Sequence, residues 1–277
     1  MAEIVAAYAA SHAPLVARDW HILPQAAKDR LSAAYRELGR RLSDAKPDAI
    51  VEIAPDHWSN FFINNLPTVC IGVGETHDGP PEPFLKDYPY NPMLGAPELA
   101  THILKTALNN DFEPSVSHRM KLDHGFCIPL MRMELKRLPP IVPIVINSLE
   151  EPMPSLSRCL AWGKLIRKAV ESYPGKLRVA VLSSGGLSHS IGEPTMGAID
   201  EAFDHACIEA FRKGAEGPLL NFLDSNLSKA GNGAHEVRNW LVAHGAAQAQ
   251  GFELIDYFPV PEVYVGCGFA AWNIAHS

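Results

Sequence analysis

The chain has 277 residues, of which 47% are apolar and 20% charged, a balance that supports one large domain or two small ones with a buried core of normal size. The net charge of -7 comes without any basic block, which argues against a nucleic-acid phosphate backbone as a partner. The N-terminal apolar run, about nine residues, is too short to span a bilayer, so no membrane association is expected.

Taken in chain order, strand-length apolar runs alternate with amphipathic stretches of helix length. Ile4–Ala10 reads as a strand. Pro24–Leu42 reads as a helix, with Leu31, Ala34, Leu38 and Leu42 at helical spacing. Ala49–Ala54 is a second strand, and Phe61–Val73 contains a third with a turn at Asn64–Pro67. A Pro-rich loop from Gly79 to Pro97 carries Tyr88 and Tyr90 and has the character of a segment lining a binding site. A helix follows over Pro97–Leu108. Ile141–Ile146 and Leu177–Leu182 are strands on either side of a helix over Leu156–Ser172. Helices are predicted over Ala198–Lys213 and over His235–Gly245, the latter ended by Gly245, and strands over Glu253–Phe258 and Glu262–Val265. The alternation predicts an α/β fold, a single domain over 1–277 whose central mixed sheet is flanked by helices.

Cys70, Cys127, Cys159, Cys207 and Cys267 are scattered and form no CxxC pair. Their odd number argues against a disulfide framework and for reduced thiols. The opening MAEIVAAYAASHAP lacks the basic region of a signal peptide. A cytoplasmic protein is expected.

Among twelve histidines, three come directly after strand-like runs: His12, His57 and His189. In an open α/β sheet the C-terminal strand ends converge on one crevice, so imidazoles far apart in sequence can meet there. A fourth, His124, lies in LDHGF just before an apolar helix-like segment. The carboxylate candidate is Glu236 in GNGAHEVRNWL, which on spacing alone reads as a first-turn acid complementing a helix dipole. Two imidazoles and one carboxylate would occupy one face of an Fe(II) octahedron and leave three positions open. Competing motifs fail. In HEVRN, Asn239 stands where the HExxH zincin motif needs its second histidine. SSGGLSH lacks the Gly-x-Ser-x-Gly elbow of α/β-hydrolases, although Ser183 and Ser184 lie near His189.

Together these residues resemble the class III extradiol ring-cleavage dioxygenases, a group that includes the protocatechuate 4,5-dioxygenase β subunit, gallate-type enzymes and the 2,3-dihydroxyphenylpropionate dioxygenases. The likeness runs over nearly the whole chain in the family's order: SHAP, PDH at 55–57, LDHGF at 122–126, VPIVIN at 142–147, SSGGLSH at 183–189 and the Gly-rich approach to Glu236. It implies Fe(II) held by His12, His57 and Glu236, with His124 and His189 as acid–base residues. Imidazole suits that role, since its ordinary pKa near 6.5 lets it exchange protons at neutral pH. The implied reaction is meta cleavage of a catechol-like ring, in aromatic degradation, from a small aromatic diol or aminophenol and O2. Trp58 and Phe126 are candidates for the aromatic wall of the substrate pocket, and Asp56 and Asp123 for carboxylates supporting the histidines. Arg18, Lys86, Arg119, Lys121 and Arg238 are each conceivable partners of a substrate carboxylate. The chain ends soon after its late strands, so the expectation is a catalytic subunit that works as a homo-oligomer or recruits a separate small helical chain. Two rivals stand beside this reading: a Zn2+ hydrolase using the same ligands, and a non-catalytic binding protein of the same fold.

Overall fold

Four central strands carry almost unbroken apolar sequence, and a strand that is buried on both faces needs such a sequence. In the computed structural model, which describes residues 1–274, these are β1 (Glu3–Ala10), β2 (Ala49–Ala54), and two further strands whose place is set by chain order. Between β1 and β2 lie the short α1 (Leu15–Arg18) and the long α2 (Gln25–Ala45). Then come β3 (Val69–Gly72), β4 (Thr76–His77), β5 (Met93–Leu94), α3 (Pro97–Leu108), β6 (Ser115–Ser117), α4 (His124–Arg132), β7 (Ile141–Ile146), α5 (Leu156–Glu171) and β8 (Arg178–Ser184). The chain closes with α6 (Glu201–Lys213), α7 (Glu216–Asn226), α8 (Val237–Ala246), β9 (Phe252–Val260) and β10 (Val265–Trp272).

The main sheet is mixed, in the order β6-β3-β7-β2-β8-β1-β10-β9. Its centre, β7-β2-β8-β1, is parallel, and β1 pairs antiparallel with β10. One apolar layer buries residues of α3, α5 and α8 against one face, and the other buries those of α2 and α4. The helical spacing predicted for α2 is realised: Leu31, Ala34, Leu38 and Leu42 are all buried. Each large aliphatic side chain so removed from water contributes roughly 1.5–3 kcal/mol. Among the described residues no helix is long and apolar enough to cross a membrane. All five cysteines are free and buried.

Several predicted elements are corrected. Glu262–Val265 is not a strand: Pro261–Val263 forms a 3-10 turn, Tyr264 takes a left-handed backbone, and the last strand is β10. Its sequence VGCGFAAW lacks the dense β-branched signal, and its pairing with both β1 and β9 makes it a strand. Helix α6 starts at Glu201, where the Asp200 side chain accepts the Phe203 N–H and caps it. Helix α7 falls between the predicted elements. Gly245 does not end α8. It lies inside the helix, at its contact with α5, where an added Cβ would sit 2.3 Å from the Leu160 carbonyl oxygen.

Candidate metal centre

The parallel strands deliver their C-terminal ends to one edge of the sheet. His12 comes after β1, His57 after β2 and His189 after β8, and all three line one cleft of about 550 Å³ together with His124 and Glu236. A larger groove of about 670 Å³ lies at the opposite end of the strands, beside Asp48 and Pro140, and contains none of these histidines. We assign function to the first because the titratable groups converge there.

His12 and Glu236 define the geometry. Ser184 Oγ donates to the Gly125 carbonyl oxygen, so its lone pair can only accept from His12 Nδ1, 2.8 Å away. The proton is thereby fixed on Nδ1, and Nε2 presents a bare lone pair. That nitrogen lies 3.3 Å from Glu236 Oε1, and His57 Nε2 lies 3.5 Å from the same oxygen. Glu236 Oε2 accepts the Gly186 N–H at 2.8 Å, which aims Oε1 at the imidazoles. Burial pushes His12 toward its neutral form. Burial alone would raise the Glu236 carboxyl, yet the imidazoles gathered around it, His12 and His189 foremost, hold it well below the usual range. A neutral nitrogen lone pair facing a carboxylate oxygen at 3.3 Å is unfavourable unless a cation sits between them. Two imidazole nitrogens and one carboxylate oxygen around one point therefore fit a divalent metal with positions left open.

His57 is supported from behind. Its backbone N–H donates to Asp123 Oδ2, and its Nδ1 lies 3.3 Å from that oxygen, a charge contact rather than an aligned hydrogen bond. Burial would lower the imidazole, but Asp123 and Glu236 outweigh it and raise His57 to about 10. Asp123 Oδ1 also accepts the Gly125 N–H and caps α4. Asp56 does something different: its carboxylate gathers the backbone N–H groups of Ser59, Asn60 and Phe61 and shapes the loop after β2.

His124, at the first turn of α4, stacks on His57 with ring centroids 4.0 Å apart. Ring nitrogens of His12, His57 and His124 also lie within 4.8 Å of one another, which makes a three-histidine set a geometric alternative. Glu236 is the stronger candidate for third ligand because one of its oxygens faces both Nε2 atoms; the His124 ring is held through Nδ1 by Glu82 at 2.7 Å. His189 donates from Nδ1 to the Leu187 carbonyl at 2.9 Å, leaving Nε2 free at 3.9 Å from Glu236 Oε2.

Glu236 itself departs from expectation. It ends a 3-10 turn over Asn232–Glu236 and precedes α8 rather than occupying the first turn of that helix. The tighter turn takes its side chain out of the helix-capping role and into the cleft. Trp58 lines the cleft and is 38% exposed. Phe126 does not: it is buried in the core beneath α4, because the helix that presents His124 turns Phe126 inward. Tyr88 is buried in the same core layer, and Tyr90 donates to the Leu135 carbonyl, so neither joins the lining. The apolar lining comes instead from Leu149, Ile191, Met196, Val263 and Tyr264. Of the five cations considered, Arg18 alone lines the cleft, at its rim and paired with Asp19. Arg119 pairs with Asp78 elsewhere, and Arg238 is turned to Pro154 and His235. Sequence reasoning misses the roles of Ser184 and Glu82.

A family profile described as the catalytic LigB subunit of aromatic ring-opening dioxygenase matches residues 6–266. The chain is 31% identical to the 2,3-dihydroxyphenylpropionate/2,3-dihydroxicinnamic acid 1,2-dioxygenase of Mycolicibacterium gilvum (strain PYR-GCK), over 86% of this chain and 88% of the relative. It is 30% identical to the protein of the same name in Paraburkholderia xenovorans (strain LB400), over 84% and 86% of the two chains. Among solved structures, an uncharacterized protein, JW3007 from Escherichia coli K12, superposes with a TM-score of 0.59 at 16% identity, covering 86% of this chain and 91% of its own, and bears on the fold alone.

Proposed function

Since the chain belongs to the family of the catalytic LigB subunit of aromatic ring-opening dioxygenases, we propose that it opens a catechol-like ring by Fe(II)-dependent extradiol cleavage with O2. The observation that carries this reading is Glu236 Oε1 facing the Nε2 atoms of His12 and His57. These three residues hold the metal. Fe(II), when bound, would supply the open positions where a diol and O2 meet and a route for charge between them. His189 takes one proton from the bound diol at Nε2, and His124 takes the other at its own Nε2 and returns it from there to the opened ring; each such group typically contributes about 10²–10⁴-fold. The apolar lining orients the ring and excludes water.

The names of the relatives point to a ring bearing a short carboxylated chain. Arg18 at the rim of the cleft is the residue we assign to that carboxylate. Arg18→Ala should raise KM several-fold for 2,3-dihydroxyphenylpropionate and leave KM for unsubstituted catechol unchanged. Equal effects on both substrates would remove Arg18 from recognition.

Metal uptake should be coupled to protons. Without metal, His57 is raised to about 10 and is protonated at neutral pH, while His12 is already neutral and Glu236 already ionised. Binding must therefore displace about one proton, from His57. Raising the pH removes that competition, so affinity should climb by about tenfold per pH unit until the pH nears His57's own value. Calorimetry in buffers of different ionisation enthalpy counts the proton; a pH-independent affinity would contradict this picture of the site.

A second reading rests on the three-imidazole set, which suits Zn2+ and a hydrolase. Anaerobic purification, metal analysis and O2 uptake on a panel of catechols with Fe(II)- and Zn2+-loaded protein separate the two. Uptake with Fe(II) only supports the dioxygenase. Iron loading with no uptake on any catechol rejects it.

A further inference from the structure

The Pro-rich loop before β5 reaches the site through one side chain. Glu82 Oε1 accepts both the backbone N–H of His124 at 3.0 Å and ring Nδ1 of His124 at 2.7 Å. A carboxylate offers only acceptors, so the ring proton belongs on Nδ1 and the lone pair on Nε2. Glu82 and His124 are 42 residues apart in sequence, and nothing in the local sequence of α4 would fix that tautomer. The loop is built to hold Glu82 still. Pro81 and Pro83 flank it, and the residue before a proline is restricted to extended backbone, as Glu82 is at φ -74° and ψ 128°. Leu85 is buried just beyond it, Gly79 is tied to Asn91 at 2.9 Å, and Asp78 is tied to Met120 at 2.8 Å.

We propose that Glu82 is a positioning residue: it locks the orientation and the Nδ1–H tautomer of His124, so that Nε2 is the nitrogen offered to the substrate. The consequence for turnover rests on the dioxygenase reading; the tautomer does not.

The test has two arms. In the first, long-range proton–nitrogen correlation spectra are recorded on the full-length, metal-free, histidine-labelled protein, at a pH where the imidazole signals have stopped moving. The His124 signal is assigned by its disappearance in His124→Gln. Wild type should show the Nδ1–H tautomer. Glu82→Gln, which keeps an acceptor oxygen, should retain it, and Glu82→Ala should lose it. In the second arm, on Fe(II)-loaded protein, Glu82→Ala should lower kcat by about 10–100-fold, a part of the roughly 10²–10⁴-fold that one acid–base group contributes. KM should stay within about twofold of wild type and metal content should not change. Glu82→Gln should recover part of the loss. An unchanged His124 tautomer in Glu82→Ala overturns the proposal, as does a kcat loss that tracks loss of metal. If wild type consumes no O2, the catalytic reading fails, and the spectra still decide the role of Glu82.

Discussion

Glu236→Gln is expected to empty the site of metal. Glutamine has the same shape and can keep the Gly186 N–H contact through its amide oxygen. Its amide nitrogen then falls where Oε1 faced His12 Nε2 and His57 Nε2 at 3.3 and 3.5 Å. An amide nitrogen has no lone pair to offer a metal, and the negative charge that balances a cation would be gone. Removing a ligand should cost more than the roughly 10–100-fold loss that outer-shell substitutions cause in metal affinity. Metal content after anaerobic reconstitution, measured beside thermal unfolding, checks the outcome. His124→Gln should keep its metal under the same conditions. If His124→Gln loses metal and Glu236→Gln keeps it, the three-histidine set is the real one.

The second large effect should come from Gly233→Ala. Gly233 lines the cleft against the ring of His189, and an added Cβ would lie 2.1 Å from His189 Nε2 and 2.2 Å from Cδ2. No carbon can approach that closely, so the ring must leave its place. The backbone behind it cannot yield easily, because Gly231 packs just as tightly on the His189 carbonyl. With His189 displaced, kcat should fall by about 10²–10⁴-fold, the contribution of one acid–base group. Metal content should hold, because none of the three ligands needs to move. His189→Ala should match it in both respects. A Gly233→Ala enzyme with the wild-type kcat would show that His189 does not act at this position.

Much of this site was legible from the chain, for a physical reason. His12, His57 and His189 each come after an apolar run. Those runs are parallel strands that end on one side of the sheet, so the loops leaving them bring the three imidazoles to that side. His124 was legible because it stands at the head of an apolar helix-like segment, which forms α4. Glu236 was not, since an acid ahead of an amphipathic segment has the same pattern whether it caps a helix or turns inward from a 3-10 turn. Asp56 and Asp123 have equivalent places beside a histidine in sequence. Only the fold separates them, by setting α4 against the loop after β2 so that Asp123 meets His57. Phe126 shows the converse, an aromatic beside a site histidine whose helix faces it into the core. Glu82 lay beyond any local signal, since its partner is 42 residues away. Among the elements, β10 was missed because strand pairing on both edges compensates for a Gly- and Ala-rich sequence.

The most direct test of the central claim is the fate of labelled oxygen. Fe(II)-loaded protein, mixed anaerobically with 2,3-dihydroxyphenylpropionate and then given 18O2, should form a yellow ring-opened product. That product should carry both labelled atoms, its ring broken beside the diol rather than between the hydroxyls. A product cleaved between the hydroxyls, a product carrying a single labelled atom, or an unopened ring after full iron loading would contradict the account.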